Sequence, residues 1–186
     1  ARTANNVVAA ASASQVLPEP RANLVIDALE TSGTWQVGQA VSVSYQLRNT
    51  GNEGADSYLF EEIRLVDMSG LQPARVLSTP NGRHTVAPGG AVTQTLSITV
   101  PALPAGQWRL EVVADRYGYI TESVETDNVT STTITVVHPD LVVAGLATTG
   151  TLQGGEQVAL RWTTTNSGST AAFTVRDSVY LSRDGV

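Results

Sequence analysis

The sequence predicts an all-β fold, an immunoglobulin-like sandwich of about seven strands, and three observations carry that expectation. Val (24 residues) and Thr (23) together supply about a quarter of the 186 residues, and these β-branched types suit a pleated sheet better than a helix. Apolar and polar residues alternate with period two, most cleanly where Val41, Val43, Tyr45 and Leu47 are interleaved with Ser42, Ser44, Gln46 and Arg48. The third observation is an internal repeat. Offset by 117 residues, Asn23–Ala55 aligns without gaps on Asp140–Ala172, with 12 of 33 positions identical, among them Gly33/Gly150, Gly38/Gly155, Asn49/Asn166 and Gly51/Gly168. A one-residue slip then pairs Ile63 and Leu65 with Val179 and Leu181.

The repeat divides the chain. Residues 1–21 read as a leader or linker, and Asn5-Asn6-Val7 matches Asp127-Asn128-Val129 well enough to suggest the last strand of a preceding module. Residues 22–138 form a complete module, and residues 139–186 the first part of a second, truncated one.

Within the complete module each strand has its own signal. Leu24–Leu29 opens the fold, and the alternating run to Leu47 follows, closed by a loop of Asn, Thr, Gly and Glu from Asn49 to Gly54. Leu59–Val66 is a third strand and Ala74–Ser78 a short fourth, with Pro80-Asn81-Gly82 as a turn. Leu96, Ile98 and Val100 alternate in a fifth, ended by Pro101. Trp108, Leu110, Val112 and Ala114 give the inward face of a sixth, and Ile134 and Val136 lie on a seventh. Tyr45 and Trp108 sit at inward phase and are expected in the core, with Trp162 at the Tyr45 position of the second copy.

These blocks resemble the CARDB family, the cell-adhesion-related domain found in bacteria. The resemblance rests on the Asp/Asn-Leu-Val strand openings, Gly-Gln-x-Val, a mid-strand Tyr or Trp, Asn-x-Gly, and Asp177-Ser178-Val179-Tyr180-Leu181-Ser182-Arg183-Asp184-Gly185. It also includes Ala114-Asp115 followed by Glu122-Ser123-Val124-Glu125-Thr126-Asp127-Asn128. The first copy departs from the pattern at Glu61-Glu62-Ile63-Arg64-Leu65-Val66-Asp67. The resemblance implies a sandwich module used in tandem in large secreted or surface proteins of bacteria. It implies no particular ligand.

Composition excludes several chemistries. With no Cys there is no disulfide, thiolate nucleophile or thiolate metal site, and with no Lys there is neither Schiff-base chemistry nor a Lys–Asn isopeptide staple. Only His84 and His138 are available for imidazole chemistry, in separate segments that read as a turn-rich stretch and a linker. No Gly-x-Ser-x-Gly or phosphate loop occurs. Glu61 and Glu62 are adjacent on an expected strand and point to opposite faces, so they cannot act as an acid/base pair. The net charge of −6 opposes nucleic acid and anionic membranes, and no apolar run reaches the ~20 residues of a membrane helix.

One constellation remains. Asp115, Glu122, Glu125 and Asp127 cluster in the turn before the last strand, and Glu53 and Asp56 are expected at the same end of the sandwich. Hard oxygen donors at a module junction suit Ca²⁺, which makes calcium the one candidate cofactor; turn geometry and solubility account for the same residues without an ion. Asn128-Val129-Thr130 is a glycosylation sequon in a host that uses it.

The expected function is a non-catalytic extracellular array of immunoglobulin-like repeats, acting as adhesin stalk, spacer or adhesion module. Its partners would be neighbouring modules of the same parent chain and an unidentified protein or glycan. One alternative is an accessory, substrate-binding module of a secreted hydrolase, with Tyr117 and Tyr119 as exposed aromatics. Another is a structural subunit whose half-module is completed by a neighbour.

Overall fold

The computed structural model describes residues 19–150 and 153–183. Among these there are eleven strands and no helix: β1 (Leu24–Ser32), β2 (Ala40–Asn49), β3 (Ala55–Phe60), β4 (Glu62–Asp67), β5 (Arg75–Ser78), β6 (Asn81–Val86), β7 (Ala91–Thr99), β8 (Gly106–Val113), β9 (Val129–Val136), β10 (Leu141–Thr149) and β11 (Ala159–Asn166). The expected strand homologous to the end of the Asp177 block does not form: Val179, Tyr180 and Leu181 are 50%, 88% and 95% exposed and belong to no strand. Asn5-Asn6-Val7 and Asp184-Gly185 lie outside the described residues.

The period-two pattern becomes a two-layer sandwich. A three-stranded sheet in the order β1-β2-β7 faces a four-stranded sheet in the order β5-β4-β8-β9, and β3 pairs with β6 beside them. All the pairings are antiparallel. Every second residue of β2 from Val41 to Asn49 is buried, which places Val41, Val43, Tyr45 and Leu47 in the core. Leu24, Leu65, Trp108 and Leu110 close on them from β1, β4 and β8. Each large apolar side chain so buried contributes about 1.5–3 kcal/mol before the entropy of ordering it is charged.

Two expectations need correction. The run Leu59–Val66 is not one strand: it breaks at Glu61, leaving β3 in the sheet with β6 and β4 in the sheet with β5 and β8. A strand that changes sheets is how a sandwich turns a corner, and a period-two pattern continues unbroken across such a switch. The Pro80-Asn81-Gly82 turn is instead the start of β6, with Asn81 opposite Phe60 and His84 opposite Ser57. Together they raise the strand count from seven to nine between Leu24 and Val136.

The strand pair β10–β11 repeats the geometry of β1–β2 residue for residue. Leu24 pairs with Asn49 and Leu141 with Asn166; the register shifts between Asp27 and Glu30 in one pair and between Ala144 and Ala147 in the other. Both bulges turn on a left-handed residue at the same repeat position, Ala28 at φ 47° and Gly145 at φ 67°. Glycine adopts that conformation at no steric cost and alanine does not.

Candidate functional site

The acidic cluster and the start of β1 meet at one end of the sandwich, and the residue that organises them is Asn49. Its side chain is fully buried. Oδ1 accepts from the backbone N–H of Asn23 (3.0 Å) and of Gly51 (3.0 Å), while Nδ2 donates to the carbonyls of Glu53 (2.7 Å) and Val86 (3.0 Å). The amide thus uses both donor hydrogens and both acceptor sites. Gly51 follows because there is no room for anything else: a Cβ there would lie 2.3 Å from the Arg21 carbonyl oxygen. The Asn-x-Gly segment is therefore a clamp that grips the chain as it enters β1.

Asn23 carries the clamp across to the segment before β9. Its Nδ2 donates to Thr50 Oγ1 (2.9 Å) and to Asp127 Oδ2 (3.0 Å), and its Oδ1 accepts from Ser123 Oγ (3.1 Å) and Val124 N–H (2.9 Å). Glu122 accepts from the Leu24 N–H and, at 2.6 Å, from Asn128 Nδ2. Its own N–H donates to Glu125 Oε1 (2.8 Å). Burial pushes the Glu122 carboxyl above its ordinary range; the Leu24 and Asn128 donors pull the other way, and nearby Asp115 and Glu125 add to the rise.

The remaining candidate ligands are engaged elsewhere. Asp115, at φ 37°, accepts from the N–H groups of Tyr119 (3.0 Å) and Ile120 (2.8 Å) and so closes its own turn. Asp56 points to Arg83 (3.1 and 2.8 Å) and Thr85 (3.1 Å), and the Arg83 hydrogen bond, then that of Thr85, holds its carboxyl below the usual range. Glu53 joins the clamp through its backbone. Among the described residues no group of three or more His, Cys, Asp or Glu is placed to hold a metal ion. Glu122, Glu125 and Asp127 come together as expected, and the arrangement they make is a hydrogen-bonded tether. The sequon asparagine, Asn128, spends its amide in that tether.

The second copy has the same clamp. Asn166 Oδ1 accepts from Asp140 N–H (3.0 Å) and Gly168 N–H (3.0 Å), and its Nδ2 donates to the Thr170 carbonyl (2.6 Å). Those partners stand 117 residues beyond Asn23, Gly51 and Glu53. A Cβ on Gly168 would lie 2.5 Å from Asp140 N.

Two charged groupings escaped the sequence reading. Glu61, at the sheet switch, is 1% exposed; Tyr45 Oη donates to its Oε2 at 2.9 Å, and its Oε1 has no partner. Burial, chiefly, raises the pKa of both groups, the Tyr45 phenol well above its ordinary value. Glu62 does point the other way, toward Arg64 and Arg116, and Glu111 joins Arg64 (2.8 Å) and Arg109 (2.6 Å) on the same outer face. The adjacency of Glu61 and Glu62 was legible; the sheet switch that buries Glu61 was not.

Comparison with known proteins agrees with this architecture. The CARDB family model matches residues 21–132. A CARDB domain from Pyrococcus furiosus, solved in complex with di-metal ions, shares 15% identity with this chain, covers 64% of it and 97% of its own length, and superposes with a TM-score of 0.50. The solution NMR structure of the CARDB domain from the same organism gives 18% identity, 63% and 97% coverage and a TM-score of 0.49. A β-glucosidase 3B from Thermotoga neapolitana, in complex with α-D-glucose, aligns over 61% of this chain but 16% of its own, at 16% identity and a TM-score of 0.42. No curated protein matches. At these identities the solved structures bear on the fold alone.

Proposed function

We infer from this geometry, and from the fact that the chain belongs to the CARDB family, that it is a non-catalytic adhesion-type module working as a spacer in an extracellular array of such modules. Family membership supports the adhesion-type, non-catalytic part of this reading. The array is supported by one observation above all, the repetition at 117 residues of the Asn-x-Gly clamp and its strand register.

A spacer must resist being pulled or bent where one module meets the next. In the first copy the clamp fastens the incoming chain to the 122–128 segment through Asn23, and in the second it fastens the chain just after His138 through Asp140. Force transmitted along the chain then loads several short hydrogen bonds together instead of peeling one strand. Gln36 Nε2 donates to the Ala171 carbonyl (2.7 Å), a direct link from the first copy to the second. The absence of Cys and Lys leaves packing and such bonds as the means of stiffening.

The experiment has two arms. Small-angle scattering of the full chain should give an elongated profile, with the second strand pair extending beyond the sandwich; a compact globule would contradict the array. An antibody raised against the chain should label intact producing cells, and labelling only after lysis would contradict the extracellular placement.

A further inference from the structure

We propose that the aromatic cluster of Tyr58, Phe60, Tyr117 and Tyr119 is a stacking site for an uncharged carbohydrate. Scattered exposed apolar residues need no explanation, but a contiguous aromatic patch does. Phe60 is the hub, with ring centroids 5.5 Å from Tyr58, 5.3 Å from Tyr117 and 5.8 Å from Tyr119. Tyr117 and Tyr119 are 5.8 Å apart. The three tyrosines are 52%, 61% and 59% exposed. They come from the end of β3 and from the loop between β8 and β9, so the fold gathers them.

The site is held in shape before any ligand arrives. The loop that presents Tyr117 and Tyr119 turns on Asp115, whose left-handed backbone is stabilised by its carboxylate accepting from Tyr119 and Ile120 N–H and by Gly118 N–H donating to its carbonyl (2.9 Å). A strained residue so firmly over-determined points to function. Arg116 N–H donates to the Phe60 carbonyl (2.9 Å), which ties this loop to β3, and Tyr58 Oη donates to Asn81 Oδ1 (2.6 Å). Rigid tyrosines give contact area at little entropic cost.

The surroundings select the ligand class. The same turn also lines a groove of about 280 Å³, formed by Asp115, Arg116, Glu125 and Asn128 together with the apolar Val113 and Val129. Ring faces next to hydrogen-bonding groups of both signs match a pyranose, which offers C–H bonds on its face and hydroxyls at its rim. The rings pack in contact with one another, with centroids 5.3–5.8 Å apart, which leaves no space between them for a cation. The chain's charge of −6 repels anionic polysaccharides. This site does not depend on the spacer reading, since a pure spacer needs the clamp and not the patch.

Native electrophoresis of the full chain through gels containing hydroxyethylcellulose, xylan or galactomannan tests the proposal, with polygalacturonate as the anionic control. At least one neutral polysaccharide should retard the chain. Tyr117→Ala and Tyr119→Ala should each weaken retention about tenfold, the loss of roughly one buried ring's contact, with the melting temperature unchanged, while Tyr117→Phe keeps most of it. Should an alanine variant melt early, amide shifts of the wild-type chain with an oligosaccharide of the retarding polymer decide the matter. Shifts at residues 58–60 and 115–120 support the site, and shifts elsewhere overturn it. No retardation on any neutral gel, retardation by polygalacturonate alone, or retention that survives the double alanine variant would also overturn it.

Discussion

The strand pairs β1–β2 and β10–β11 share a register, a bulge and an asparagine clamp, yet one is core and the other is surface. Leu24 is 0% exposed and Leu141 41%; Ile26 is 3% and Val143 59%; Tyr45 is 0% and Trp162 37%. The difference is the opposing layer. β4, β8 and β9 cover the first pair, whereas among the described residues no sheet faces the second. Pairing geometry is thus written locally, in the clamp, the bulge and the alternation, while burial depends on distant strands.

The comparison breaks most decisively at the matched core positions. Leu24→Ala should cost about 2–5 kcal/mol in chemical denaturation, the range for removing a buried leucine. Leu141→Ala at the equivalent position should cost no more than about 0.5 kcal/mol. Equal losses would show that the second pair is buried after all.

The clamp comes next. Asn49→Ala should destabilise by about 2–3 kcal/mol, because it strands buried N–H and C=O groups, whereas Asn166→Ala, whose partners are exposed, should cost well under half of that. A thermal melt of each variant decides. Gly51→Ala tests the same grip sterically: with backbone atoms 2.3–2.6 Å from the added Cβ, the chain must shift to admit it.

A smaller effect separates the two halves by pH. The first copy buries Glu61 against Tyr45, where by the one-residue slip the second has Asp177, which accepts from Trp162 Nε1 at 2.8 Å and is exposed. Burial raises the folded pKa of Glu61 above the 4.5 of an ordinary glutamate, so the folded state holds this proton more tightly than the unfolded state. The contribution is fully present below that value and is lost as pH rises through the folded pKa. Glu122 acts in the same direction. Glu111 acts oppositely: burial would raise it, but Arg64 and Arg109 outweigh that, so its stabilisation is lost as pH falls. Glu61→Gln should therefore flatten the decline in stability between pH 4.5 and neutrality; an unchanged slope would mean that Glu61 is not held protonated.

The smallest expected effect is that of calcium. The acidic residues at the junction already have protein donors, so millimolar Ca²⁺ should move the melting temperature by no more than about 1 °C relative to chelator. A rise of several degrees would reveal a site that the side chains reach only by rearranging.

Much of this was legible in the residues. The sandwich, the inward Tyr45 and Trp108, the opposed Glu61 and Glu62, and the meeting of Glu122, Glu125 and Asp127 all follow from period-two alternation and spacing. The switch of sheets at Glu61 was not, because β3 and β4 keep one continuous alternation across it. Nor was β6, hidden behind Pro80-Asn81-Gly82. The clamp was visible only as a pair of matched asparagines and glycines 117 residues apart. Its use of Asp127 and Glu122 as hydrogen-bond acceptors depends on contacts about 100 residues away in sequence. The aromatic patch likewise needed the fold to bring Phe60 beneath Tyr117 and Tyr119.

Hydrogen exchange resolved by segment tests the central claim most directly. Amides of β2 and β8 should exchange only through global unfolding, whereas those of β10 and β11, paired in the same register but facing no second layer among the described residues, should exchange orders of magnitude faster. Equal protection of the two strand pairs would contradict the claim that they share local geometry without sharing a core.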